Sequence, residues 1–137
     1  MKITNITTTE LHCNHISSHP NSSPSIRSAR ENQYKKLFVH IATDEGMEGL
    51  GIGESAPGVR YLIETNLKNL LMNQDPFNIE KLHRDMFSYT DGLGYHSVAS
   101  RAISAIDIGL WDLKAKTLGL PLYKLLGPLA TSIPIHG

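Results

Sequence analysis

Apolar and polar residues alternate with a period of two along the first part of the chain, then switch to a helical period. Residues Lys2–Cys13 are rich in Thr and Ile, which suit a pleated backbone and predict a first strand. Asn14–Gln33 (NHISSHPNSSPSIRSARENQ) shows no apolar period, and serine and proline dominate it. A structureless stretch of about 20 residues is uncommon inside a compact domain and is usually functional or disordered. In Leu37–Thr43 the residues Leu37, Val39 and Ile41 share one face, so a second strand is predicted. Asp44-Glu45-Gly46 supplies turn chemistry, and the chain returns as EGLGIGE. On that third strand Gly49, Gly51 and Gly53 make one face, and Leu50 and Ile52 the other. A face of glycines packs no side chains and predicts the close approach of another backbone.

The helical part begins with Ile63, Leu67, Leu70 and Leu71 on one face. Asp75-Pro76 has the form of a helix start, an acid cap followed by proline at the first helical position. Ile79, Leu82, Met86 and Phe87 mark the next helix, and Asp91-Gly92-Leu93-Gly94 breaks it. Ser97 is placed to cap a third and longest helix running to Thr117, roughly 30 Å long. Its main stripe is Ala99, Ala102, Ile103, Ile106, Leu110 and Leu113. Val98, Ala105, Ile108 and Trp111 are apolar off that stripe, so something large is expected to pack over it. Ala99, Ala102, Ala105 and Gly109 are small enough to allow close approach. Gly119 can stop the helix, and Pro121 starts a short one. Ile133-Pro134-Ile135-His136-Gly137 reads as the start of another strand that has no partner in the chain. Three strands followed by three helices predict an α+β fold, an antiparallel meander with helices on one face.

The 137 residues suit one domain, and 40% hydrophobic content is enough for a core. Lysine plus arginine number 13, as do aspartate plus glutamate, so the basic footprint of a nucleic-acid binder is missing. The single Cys13 excludes an internal disulfide and fits a reducing compartment. No run approaches the roughly 20 apolar residues of a membrane span, and MKITNITTTELHC is too polar for a signal peptide. A cytoplasmic location without membrane or nucleic-acid partners is expected.

Several motifs imitate chemistry. Gly51-Ile-Gly53-Glu-Ser-Ala56 has the form G-x-G-x-x-A after a strand, with Asp75 about 20 residues on, which raises a dinucleotide site. Against it, Pro57-Gly58 intervene before any helix, and the strand belongs to a hairpin. Lys114 and Lys116 resemble a pair of active-site lysines, but on a helix they point about 200° apart. Asp112 is placed to pair with Lys116 on a solvated face. His12, Cys13, His15 and His19 cluster in sequence but lack the second ligand pair usual for zinc. Asp107, inside an apolar helix with no base at i±3 or i±4, is expected to pair with a backbone amide or with a base from another segment. Two loops, Asn14–Gln33 and Glu54–Tyr61, leave the strands with Arg27, Glu54, Arg60 and Tyr61, groups able to bind an anionic small molecule.

The stretches MKIT, TDEGMEGLGIGE, NQDPFNIEKLH and, most distinctively, AISAIDIGLWDLKAKTLGLPLYKLLG resemble the N-terminal capping domain of the mandelate racemase/muconate lactonizing enzyme family, within the enolase superfamily. Pro128 departs from the family's second glycine after LLG. The resemblance implies a capping domain over residues 1–127, then a linker and the first strand of a (β/α) barrel over 128–137, with the rest of the barrel missing. It implies that metal ligands and bases sit on that barrel, where Mg²⁺ stabilises an enediolate formed by proton abstraction next to a carboxylate. The expected parent is a sugar-acid dehydratase, or a racemase or cycloisomerase, forming a homo-oligomer. The chain alone is expected to be inactive, with neither catalytic nor metal-ligating residues. The resemblance also places lid residues in the two loops: His15, His19, Ile26 and Arg27 in one, Glu54, Val59, Arg60 and Tyr61 in the other. The alternatives are a stand-alone protein-interaction module and, behind it, a dinucleotide-binding domain.

Overall fold

A computed structural model describes residues 1–12, 35–93, 97–128 and 132 of the chain. Strands β1 (Ile3–His12), β2 (Lys35–Thr43) and β3 (Glu48–Glu54) form an antiparallel sheet in the order β1-β2-β3. The meander expected from the alternation is therefore present, in an α+β arrangement. Register gives the sheet an inner face built in rows: Ile6–Ile41–Gly49, Thr8–Val39–Gly51, Glu10–Leu37–Gly53 and, at the end, His12–Lys35. Along β1 this face passes from fully buried Ile3 and Ile6 to polar Thr8, Glu10 and His12. The core ends there.

The helical layer starts with α1 (Val59–Tyr61), continues through a π-helical turn (Leu62–Leu67) and ends as α2 (Lys68–Leu71). Within the wide turn the Thr65 hydroxyl donates to the Tyr61 carbonyl at 2.7 Å. Helix α3 (Ile79–Thr90) buries Ile79, Leu82 and Met86. It does not begin at Asp75-Pro76 as the sequence suggested. The Asp75 carboxylate instead accepts the Phe77 N–H at 2.9 Å, closing a turn that delivers Asn78 as the cap residue.

Helix α4 (Val98–Thr117) follows its expected limits. Ser97 Oγ accepts the Ala99 N–H at 3.2 Å, and every residue of the expected stripe is buried. At its end Gly119 adopts φ +65°, Gly119 N–H donates to the Lys116 carbonyl, and Leu120 N–H donates to Ala115. That pairing is a Schellman stop. The glycine face of β3 receives this helix. A Cβ on Gly51 would sit 1.9 Å from the Ala105 carbonyl oxygen, and one on Gly49 would sit 2.2 Å from that of Gly109. Of the off-stripe residues Val98, Ala105, Ile108 and Trp111, the chain's own sheet thus buries Ala105. Trp111 stays half-buried. Ile108 on α4 stays exposed, and so do Leu118, Leu120, Tyr123 and Leu126 around α5 (Leu122–Leu126).

Asp112 does more than pair on a solvated face. Its carboxylate meets Lys116 at 2.7 Å and accepts the outward N–H of Leu50 on edge strand β3, also at 2.7 Å. Lys116 donates to the Glu48 carbonyl at 3.1 Å. Together they occupy hydrogen-bonding groups that an open sheet edge would offer to another strand. Asp107 finds its partner on α3, with His83 Nδ1 3.1 Å from Oδ1. The residues expected to open a barrel strand, 133–137, lie outside the described residues.

Candidate functional site

The polar end of the inner sheet face opens into a cleft of about 730 Å³. Its floor is Glu10 and Lys35, one wall is the Ser55–Gly58 turn, and the other carries Arg60, Tyr61 and Glu64. Ser55 extends the β2–β3 ladder by one bond, its N–H donating to the Lys35 carbonyl at 3.1 Å. Gly58 turns the chain into α1 with φ +87°, a conformation that favours glycine.

Each carboxylate in the cleft is held by neighbours. Glu10 accepts the Ser55 hydroxyl on Oε2 and lies 3.2 Å from Lys35 Nζ through Oε1. The Ser55 hydrogen bond, followed by the one from the Lys35 ammonium, holds its carboxyl below the ordinary glutamate value. Glu64 accepts the Thr8 hydroxyl at 2.5 Å and faces Arg60 Nε at 3.2 Å. The Thr8 hydrogen bond is the main cause of its lowered pKa, opposed by burial and assisted by Arg60. With both acids engaged, Tyr61 (70% exposed) and Arg60 stand at the mouth.

The second predicted loop is therefore only partly a loop. Glu54 ends β3, and Val59–Tyr61 is helical. Arg60 and Tyr61 line the cleft as expected. Glu54 faces away to a smaller cleft of about 270 Å³ on the other side of the Ser55–Pro57 turn, where Arg101 meets it at 3.2 Å. Val59 belongs to the core at 1% exposure, because α1 turns its side chain inward. His15, His19, Ile26 and Arg27 lie outside the described residues, as does Cys13. Of the histidine cluster only His12 is described, and its Nε2 is 3.6 Å from Glu10. Sequence reasoning missed Glu10, Lys35, Glu64 and Arg101. Carrying the phase of Ile6 along β1 to Thr8, Glu10 and His12 would have found the first of these.

The apparent nucleotide motif is accounted for by packing. Gly51 and Gly53 face α4, and no helix opens before Gly58. Lys114 and Lys116 diverge: Lys114 Nζ lies 5.2 Å from the Trp111 ring centre, while Lys116 pairs with Asp112. Among the described residues no three His, Cys, Asp or Glu side chains gather as metal ligands would.

The family model for the N-terminal domain of mandelate racemase and muconate lactonizing enzyme matches residues 6–127. The chain belongs to that family. It is thus a member of the enolase superfamily, in the region that sequence resemblance indicated. It is 35% identical over 103 residues to the L-talarate/galactarate dehydratase of Salmonella typhimurium, covering 73% of this chain and 26% of that protein. The fold matches the crystal structure of the 3,6-anhydro-D-galactonate cycloisomerase from Zobellia galactanivorans, with a TM-score of 0.73, 27% identity, and coverage of 93% of this chain and 32% of that one. It also matches the L-talarate dehydratase from Polaromonas sp. JS666 complexed with Mg and L-glucarate, at a TM-score of 0.67 and 36% identity over 72% of this chain and 28% of that one. The chain spans about a quarter of the length of the curated relatives it matches. No helix among the described residues is long and apolar enough to cross a membrane.

Proposed function

We propose that residues 1–127 are the substrate-selecting cap of a magnesium-dependent enzyme that abstracts a proton next to the carboxylate of a sugar acid. The observation that carries this is the cleft at the polar end of the sheet, in a domain whose relatives are sugar-acid dehydratases and cycloisomerases. A cap of this kind supplies charged and hydroxyl groups to the part of the substrate remote from the reacting carbon. Arg60 and Lys35 suit carboxylate and hydroxyl oxygens, and the Tyr61 hydroxyl can donate or accept. The same proposal gives Glu54, His15, His19, Ile26 and Arg27 a part in substrate choice, with Val59 supporting them only through the core. Docking such a surface over the reacting groups excludes water and strengthens the electrostatics beneath it.

Residues 128–137 are then a linker and the first strand of a barrel, the barrel supplies the magnesium ligands and the base, and the enzyme is a cytoplasmic homo-oligomer. The exposed apolar groups around α5 favour a covering partner, and the barrel is the one this proposal names. Assaying the purified 137-residue chain with Mg²⁺ and a panel of sugar acids tests the division of labour. The expected outcome is no turnover of any of them, and Mg²⁺-dependent turnover overturns it.

A further inference from the structure

We infer that Glu10 is a positioning residue that clasps the two sides of the cleft, holding the turn after β3 against the open end of the β1–β2 pair. One carboxylate serves both sides. Oε2 accepts the Ser55 hydroxyl, while Oε1 lies 3.2 Å from Lys35 Nζ and 3.6 Å from His12 Nε2. Those three residues mark distinct places in the chain. His12 ends β1, Lys35 opens β2, and Ser55 is the first residue after β3. The backbone bond from Ser55 N–H to the Lys35 carbonyl runs beside the carboxylate and closes the same ring of contacts.

The position of Glu10 argues for a dedicated role. It sits on the inner face in the row of Leu37 and Gly53, where the pattern of Ile3 and Ile6 would continue the core. Its side chain is 25% exposed, and the carboxylate meets Ser55, Lys35 and His12. Among the described residues, the other charged or titratable groups of the cleft are His12 on β1, Lys35 on β2, and Arg60, Tyr61 and Glu64 on the helical wall. Glu64 is occupied by Thr8 and Arg60. Glu10 is therefore the acid that joins β1 to the Ser55–Gly58 wall. When it is clasped, that wall and the Lys35 side chain present one surface of fixed shape. The meaning of that surface for substrate choice rests on the proposed capping role, but the clasp does not.

Amide hydrogen exchange and NMR titration of the 137-residue chain test it, with Glu10→Gln, Glu10→Ala and Ser55→Ala beside the wild type. In Glu10→Ala the Ser55 amide should exchange at least tenfold faster, while Val39 and Ile41 keep wild-type rates. Glu10→Gln, which retains an acceptor for the Ser55 hydroxyl, should recover most of the protection. In the wild type the amide signals of Ser55 and Lys35 should move together in one acid transition that Glu10→Gln abolishes. Ser55→Ala removes one hydroxyl at a half-buried site and should raise exchange at residue 55 even if Glu10→Ala does not fold. Unchanged exchange at residue 55 in these variants overturns the clasp. So does loss of protection at Val39 and Ile41 in step with Ser55, which would assign Glu10 to general stability. These readouts need no substrate, so a failed clasp and a failed capping role are told apart.

Discussion

Gly51→Ala should be among the most damaging single-methyl additions to this domain. The added carbon would lie 1.9 Å from the Ala105 carbonyl oxygen, 3.0 Å from the Ala105 carbonyl carbon and 3.1 Å from the Gly109 nitrogen. These are atoms of the α4 backbone, so no rotamer change gives relief. Strand and helix must part by about 1.5 Å there before the closest contact reaches the ordinary 3.4 Å. That separation loosens Ile106 and Leu110, both fully buried. Overpacking of a tight core costs typically 1–3 kcal/mol, and a rigid backbone obstacle places this case at about 3 kcal/mol. With a urea m-value of about 2 kcal/mol/M, the unfolding midpoint should fall by about 1.5 M. Urea titration followed by circular dichroism measures it, with Gly92→Ala as the control because a Cβ there meets nothing within 4 Å. Gly53→Ala should fall between them, since its nearest obstacle is the Ala105 methyl at 3.0 Å. A Gly51→Ala midpoint within about 0.2 M of wild type would refute the account of the glycine face.

Asp112→Ala should cost about 1.5 kcal/mol by the same titration, because it removes the charged acceptor of the Leu50 N–H together with one of the two partners of Lys116. A loss equal to that of an ordinary surface ion pair, a few tenths of a kcal/mol, would contradict that role. Acid should destabilise the domain through its clasped carboxylates. Glu64 has a folded pKa below its ordinary 4.5, so its contribution is present above that value and disappears as pH falls through the folded one. Glu64→Gln should accordingly start less stable at neutral pH and lose less below 4.5, as read by thermal melts across the acid range. Thr8→Val, which removes the main cause of the shift, should bring the Glu64 titration back up toward 4.5, and an unmoved titration would show that the Thr8 hydroxyl is not the cause.

Much of this architecture was legible because it depends on local period and end chemistry. The α4 stripe from Ala99 to Leu113, the Ser97 cap and the Gly119 stop all lie within a few residues of what they control. The glycine face of β3 was legible for a different reason, since absent side chains leave only a backbone to pack against. The cleft was less so. Glu10 and Ser55 are joined by the fold across 45 positions, and nothing near either residue announces the other. Asp75-Pro76 misled because an acid followed by proline also closes a simple turn, and the Asp75 carboxylate is used within it. The π turn escaped because Ile63, Leu67 and Leu71 keep a helical spacing through it. Asp112 looked like half of a surface pair because its second partner is a strand amide that sequence spacing does not reveal.

In the proposed capping role this domain selects the substrate on which a barrel acts. The direct test replaces the matching N-terminal segment of the Salmonella L-talarate/galactarate dehydratase with residues 1–127 and compares kcat/KM across a panel of sugar acids. The chimaera should fold, with an order of preference that differs from the parent's and shifts again on Arg60→Ala. A folded, active chimaera that keeps the parent's order, with or without Arg60, would contradict that role.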